Sequence, residues 1–267
     1  MNQVSNDQIR QNVRSRYKEI ALLPVETESC CAPSAGCCDT SVNSVDISAK
    51  LGYSDEELTA VPDGANLGLG CGNPQAIAEL QSGEVVLDLG SGGGFDCFLA
   101  SRQVGEAGRV IGVDMTPEMI SRARGNATKG KFTNTDFRLG EIEHLPVADQ
   151  TVDVIISNCV INLSPAKEQV FDEAFRVLRS GGRLAISDIV TTAELPPEIK
   201  NDLNLMYAGC ISGASSVDEV KAMLTQSGFT DVVVEPKDES KAFIKDWVPG
   251  ANVENYIVSA VIKGIKP

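Results

Sequence analysis

Val85-Val86-Leu87-Asp88-Leu89-Gly90-Ser91-Gly92-Gly93-Gly94-Phe95-Asp96-Cys97 is a short apolar run that breaks into glycines and then resumes with a helical pattern. It reads as a buried strand, a tight turn and a helix start, the opening of a βαβ unit. A dinucleotide fingerprint wants a third glycine or alanine three places after the second, and that place holds Phe95. Asp88, two residues before the turn, would repel a pyrophosphate but attract the ammonium and sulfonium charges of S-adenosylmethionine. The stretch therefore favours S-adenosylmethionine, held by Asp88, Gly90, Ser91 and Gly92.

Downstream, apolar runs at 109–113, 136–139, 152–157 and 183–187 alternate with amphipathic helices, which predicts a doubly wound, mostly parallel sheet. Thr116-Pro117 and Ser164-Pro165 each offer a capping hydroxyl before a proline, and Gly181-Gly182 is expected to stop the helix carrying Val170, Ala174 and Leu178. Asp114, 24 residues past Gly90, is placed to accept both ribose hydroxyls, and Met115 to pack on adenine. The tail suggests helices at 197–207 and 217–227 and late strands near Val232 and Tyr256.

Upstream, Ser5 to Gln8 is a capping box that opens a helix at about 6–22. Residues 25–48 show no periodicity and read as an irregular loop carrying Cys30, Cys31, Cys37 and Cys38, followed by a short helix at 54–60. Three regions follow: a helical and Cys-rich segment at 1–80, a cofactor domain at 81–190 and a substrate-capping α+β lid region at 191–267.

The 267 residues carry 23 Lys plus Arg against 37 Asp plus Glu, a net charge of −14, which disfavours nucleic acid as a partner. No apolar run reaches the roughly 20 residues of a membrane span, and the N-terminus lacks the apolar core of a signal peptide. A cytoplasmic protein is expected, in which eight cysteines serve chemistry rather than cross-linking.

The single histidine, His144, falls in a segment expected to face adenine, so no general base stands beside the donor methyl. Cys159 ends the fourth strand and should stand beside the Gly90 turn at the topological switch point. Cys71, between Gly70 and Gly72, and Cys210, between Gly209 and Ile211, lie in segments able to cover that point, so the three thiols can converge. Three sulfurs without a histidine or carboxylate partner suit a soft three-coordinate centre better than zinc, which wants four ligands in paired spacing. Cys97, at the start of a helix, reads as a small core residue.

These motifs resemble the class I S-adenosylmethionine-dependent methyltransferases over about 84–189, through the Asp88 to Gly92 turn, Gly140-Glu141-Ile142-Glu143-His144-Leu145-Pro146, and Phe175 to Gly182. The resemblance implies a Rossmann-like α/β fold, Glu141 and Ile142 flanking adenine, and Asn158 with Cys159 bordering the methyl-donor pocket. Gly68-Leu69-Gly70-Cys71-Gly72, Ser157-Asn158-Cys159-Val160-Ile161-Asn162-Leu163 and Glu194-Leu195-Pro196-Pro197-Glu198 narrow it to the arsenite methyltransferases over about 65–213. That family implies trivalent arsenic bound by Cys71, Cys159 and Cys210. It also implies a disulfide cycle through one of Cys30, Cys31, Cys37 and Cys38, with thioredoxin or glutathione as thiol cosubstrate. A small-molecule C- or O-methyltransferase and a non-catalytic thiol metalloid binder are the competing readings.

Overall fold

The computed structural model describes residues 5–23, 44–196, 211, 213–248 and 250–267. The strands β1 (Val85–Leu89), β2 (Arg109–Asp114), β3 (Thr135–Leu139), β4 (Val152–Asn158) and β5 (Leu178–Thr191) run parallel, in the order β3-β2-β1-β4-β5. Two-residue β6 (Ser215–Ser216) pairs the end of β5. The tail continues the same sheet, with β8 (Ile257–Ile265) antiparallel to β5 and β7 (Thr230–Lys237) antiparallel to β8. The doubly wound α/β architecture expected from the sequence is the one observed.

Alternate residues of the central strands face opposite layers. Leu87, Leu89 and Ile155 join one core beneath α7 (Lys167–Val177), whereas Val86, Val154 and Ile156 join the other with Phe98 of α5 (Phe95–Val104) and Ile120 of α6 (Pro117–Gly130).

The N-terminal helix α1 (Asn6–Leu22) has its Ser5–Gln8 capping box in place. Helix α2 (Ser44–Lys50) corrects the irregular reading of the last residues before 48, and α3 (Asp55–Thr59) falls where a short helix was expected. Helix α4 (Gln75–Ala78) precedes β1, while α8 (Val217–Gln226) and α9 (Lys241–Ile244) lie in the tail. The expected helix at 197–207 lies outside the described residues, as do Cys30, Cys31, Cys37, Cys38 and Cys210.

Two local expectations are corrected. Helix α7 ends at Val177 and Leu178 already begins β5, so Gly181-Gly182 sits inside the strand rather than at a helix stop. Ser164 does not cap α7, whose cap position is Ala166; its hydroxyl donates to Glu143 Oε1 at 2.7 Å instead. The Ser164 oxygen still accepts a backbone N–H, that of Ala166 at 3.0 Å, but the helix starts only at Lys167, so this bond falls ahead of the first turn.

Candidate active site

The strand order reverses between β1 and β4, and at their carboxyl ends opens a cavity of about 390 Å³. Ligands bind at such switch points in open α/β sheets, and the volume is that of a small-molecule site. Asp88, Gly90, Ser91, Gly92, Asp114, Met115, Ile142, Asn158 and Cys159 all line it. Glu141 does not; it pairs with Arg14 at 3.2 Å and lies 3.6 Å from Arg10, both on α1, while its neighbour Glu143 faces the cavity.

Local chemistry shapes the turn. Gly90 adopts φ +72°, and a Cβ there would run into the Val160 side chain, so glycine allows β1 and the end of β4 to meet. Gly92 donates its N–H to Asp114 Oδ2 at 3.0 Å, and Thr116 donates its own to Oδ1 at 2.8 Å. Thr116 thus precedes α6 without a hydroxyl cap, and Asp114 does the turn-closing work assigned to it. Above Gly92 a Cβ would meet nothing within 4 Å, and Ser91 Oγ is buried without a hydrogen-bond partner among the described residues.

Two carboxylates close one side. Asp88 is 3% exposed and Asp96 8%, and neither has an ion pair among the described residues. Burial, reinforced by the neighbouring Asp96 charge, holds Asp88 well above the usual carboxylate range, against the hydrogen bond that Cys97 Sγ donates at 3.2 Å. Burial likewise pushes Asp96 up to about 6, against hydrogen bonds from Tyr53, Asn158 and Gln75. Acids buried this way call for a cation in the cavity. With the open space over Gly92 and the unsatisfied Ser91 hydroxyl, they fit a cofactor carrying ammonium and sulfonium groups beside a ribose.

Asp114→Ala removes the acceptor of the Gly92 and Thr116 amides and, if Asp114 holds the ribose as expected from the sequence, that contact as well. Affinity for S-adenosylmethionine should fall by roughly 10–100-fold, about 1.4–2.8 kcal/mol. Titration calorimetry returning an affinity within twofold of the unaltered chain would take Asp114 out of the site.

The thiol side is built by β4 and the loop before β1. Cys159 holds a left-handed backbone, φ +58°, unusual for a side-chain-bearing residue and of the kind concentrated at functional sites. Its N–H donates to Ser187 O at 2.8 Å. Cys71, 88 residues earlier, forms a disulfide with it, their Cα atoms 5.8 Å apart. Asp188 corrects the expectation of sulfurs without a carboxylate neighbour, because its oxygen and both sulfurs lie within 4.8 Å of one another. That carboxylate is held at about 6 by burial, against backbone N–H donors from Ile189 and Ile161 and the charge of Lys167. Cys97 is fully buried, as expected, and also faces Asp88.

Besides Asp96 and Asp188, three contributors were missed in the sequence. Helix α1 lies over the cavity, where Arg10, Val13 and Tyr17 line it and Arg10 reaches the buried Glu143 at 3.1 Å. Tyr53 is buried and bonded to Asp96. Trp247, the chain's one tryptophan, forms an apolar wall near Cys159 with Leu163, Ile211 and Val248. The capping box announced α1, but nothing local announced its docking. His144 is exposed, in keeping with its reading as a surface residue.

Residues 80–228 match the family described as a methyltransferase domain. The arsenite methyltransferase of Halobacterium salinarum is 52% identical over 98% of this chain and 67% of its own length. That of Aquipseudomonas alcaligenes is 38% identical over 74% of this chain, which spans 56% of that protein. Among solved structures, CrArsM, an arsenic(III) S-adenosylmethionine methyltransferase from Chlamydomonas reinhardtii, superposes with a TM-score of 0.62 at 31% identity. The alignment covers 83% of this chain and 73% of that one. Among the described residues no helix is long and apolar enough to cross a membrane.

Proposed function

We infer, from a chain that belongs to the arsenite methyltransferase family and has its class I fold, that it methylates trivalent arsenic held by Cys71, Cys159 and Cys210. The observation that carries this reading is the meeting of Cys71 and Cys159 at the rim of a carboxylate-walled cofactor cavity. Support for Cys210 comes from Ile211, next in the chain, which lines the cavity and shares an apolar cluster with Cys71 and Cys159. In this reading 1–80 carries Cys71 and the N-terminal cysteines and lays α1 over the cavity, 81–190 supplies most of the cofactor site, and 191–267 caps the substrate with Cys210 and Trp247 while its strands β7 and β8 extend the same sheet.

When bound, S-adenosylmethionine supplies an electrophilic methyl group on a sulfonium. Asp88 and Asp96 hold its positive charge, Asp114 its ribose and Met115 with Ile142 its base. Three thiolates leave the arsenic lone pair free, so arsenic takes the methyl without a proton to remove and without a general base. Methylation raises arsenic formally to As(V). If two As–S bonds then break and Cys71 joins Cys159 as a disulfide, two electrons return to arsenic, which stays on the Cys210 thiolate as a methylated As(III) species, its third position taken by hydroxide from water with release of a proton, until a reductant thiolate displaces it. A dithiol or glutathione-class reductant reopens the pair, and the thioredoxin class fits that step.

The deciding assay incubates the reduced chain with S-adenosylmethionine, arsenite and a thiol reductant and follows arsenic speciation. Methylated arsenicals are expected, with turnover that stops when reductant is withheld. An organic acceptor methylated in preference to arsenite would overturn the assignment.

Cys30, Cys31, Cys37 and Cys38 are proposed to relay electrons to the site. Adjacent Cα atoms are only about 3.8 Å apart, below the usual disulfide range, which favours exchange with distant thiols. Replacing all four by serine should leave S-adenosylmethionine binding within about twofold and slow arsenite turnover roughly tenfold. Unchanged steady-state rates on arsenite would assign reduction to external thiols alone.

A further inference from the structure

Between the cofactor cavity and Cys71 runs a continuous chain of hydrogen bonds. Tyr53 Oη donates to Asp96 Oδ1 at 2.8 Å. Asn158 Nδ2 donates to Tyr53 Oη at 3.1 Å and to Gly72 O at 2.8 Å, and Asn158 Oδ1 accepts from Cys71 N at 3.0 Å. Asp96 and Asn158 both line the cavity, whereas Tyr53 is only 4% exposed. One end of the chain is therefore a buried carboxylate facing the cavity, and the other grips the backbone on both sides of a site cysteine.

We propose that Tyr53 and Asp96 are positioning residues that couple occupation of the cofactor cavity to the geometry of Cys71 through Asn158. The coupling follows from the direction of the bonds and rests on the reading of the cavity as the S-adenosylmethionine site. An ionised carboxylate only accepts, so it fixes Tyr53 as its donor. The tyrosine oxygen must then accept from Asn158 Nδ2, which leaves Oδ1 turned to Cys71 N. A neutral Asp96 can itself donate to Tyr53, freeing the phenol hydrogen to seek Asn158 Oδ1 and compete with the Cys71 amide. A cation in the cavity selects the first arrangement.

Near pH 6 Asp96 is balanced between the two. Tyr53 and Gln75 donate toward its charge and the Asn158 amide, committed to Tyr53 and Gly72, lies beside it, while burial and the Glu57 carboxylate oppose it. Asp88, also acidic, lies close enough that the Asp96 charge raises its own titration. No Lys or Arg pairs with Asp96 among the described residues, so a cationic ligand brings the missing charge. Gly70 completes the fit, since a Cβ there would stand 2.8 Å from both terminal atoms of the Asn158 amide.

Amide hydrogen exchange at about pH 6, where Asp96 is half ionised without ligand, on the reduced full chain, with and without sinefungin, an unreactive analogue with an amine in place of the sulfonium, tests this without arsenic. In the unaltered chain sinefungin should slow exchange in the peptides covering 90–94 and 70–72, the latter by roughly fivefold or more. In Tyr53→Phe, protection of 90–94 should remain, reporting that the ligand binds, while the effect at 70–72 disappears. Asp96→Asn, whose amide can donate or accept, should behave alike at saturating ligand and serves if Tyr53→Phe does not fold. Ligand-induced slowing at 70–72 that persists in either folded variant overturns the coupling. So does slowing confined to 90–94 in the unaltered chain. If sinefungin protects neither peptide there, the cofactor reading itself fails and takes the coupling with it.

Discussion

Cys159→Ser is expected to lower arsenite methylation by at least roughly 10³-fold, about 4 kcal/mol at the transition state, while the chain stays folded. Serine is nearly the same size and can keep the left-handed backbone and the amide bond to Ser187 O. What it cannot supply is a soft, polarizable ligand for a thiophilic centre. The comparison belongs in reducing buffer. Under oxidising conditions the unaltered chain closes a loop between residues 88 apart, worth about 4–5 kcal/mol by the chain-entropy estimate. Cys97→Ser is the control: its hydroxyl can still donate to Asp88, so turnover should stay within severalfold, with the loss appearing in stability. Arsenic speciation with arsenite titrations decides the matter, and Cys159→Ser turnover within tenfold of the unaltered chain would remove Cys159 from the arsenic site.

The cofactor half of the cavity was legible in the sequence because its determinants are local. Asp88, Gly90 and Gly92 sit on one strand-turn-helix unit, and Asp114 ends the next strand, so the parallel pairing of β1 with β2 is enough to bring them together. The βαβ pattern dictates that pairing. Cys159 was legible for the same reason, since β4 pairs directly with β1 and its end must adjoin the Gly90 turn.

The remainder depends on tertiary approach across long stretches of chain. Tyr53 reaches Asp96 over 43 positions, and Arg10 reaches Glu143 over 133. Neither tyrosine nor arginine stood in a motif that marked it. Asp188 was hidden differently: it lies inside β5, with Ile186 before it and Ile189 and Val190 after it, where a carboxylate is costly unless satisfied. Ile161 N, Asn162 Nδ2 and Ile189 N all donate to it, and two of those donors belong to the segment after Cys159. The same interaction explains why Ser157 to Leu163 looks distinctive as sequence. Its residues supply a thiol and the donors that let a carboxylate remain buried near it. The Ser164 error is one of position: its oxygen accepts from Ala166 N ahead of a helix that starts only at Lys167, while its hydrogen goes to Glu143, 21 residues away.

Asp88→Asn is expected to weaken S-adenosylmethionine binding by about 100-fold or more, yet to raise the melting temperature of the ligand-free chain at neutral pH. Both follow from one buried charge. Removing the acidic partner of a desolvated cation costs about 2–5 kcal/mol of binding. Without ligand, however, Asp88 faces Asp96 and Asp114 instead of a cation, and its ionised form is disfavoured. Asparagine keeps the oxygen that accepts from Cys97 and drops the charge. For a chain of this length each kcal/mol relieved corresponds to roughly 2–4 °C. The pH dependence carries the same sign. A carboxylate raised by burial costs nothing below its unfolded value, 3.8, and its cost is complete above the folded one, about 6 for Asp96. Stability of the unaltered, ligand-free chain should therefore lose ground as pH rises from about 4 to 7, and Asp88→Asn should flatten that decline. Cofactor affinity should move the opposite way and tighten as Asp96 ionises. Calorimetry and thermal melts at pH 5 and 7.5 read both, and a variant less stable than the unaltered chain at pH 7.5 would mean that Asp88 is satisfied in the empty cavity.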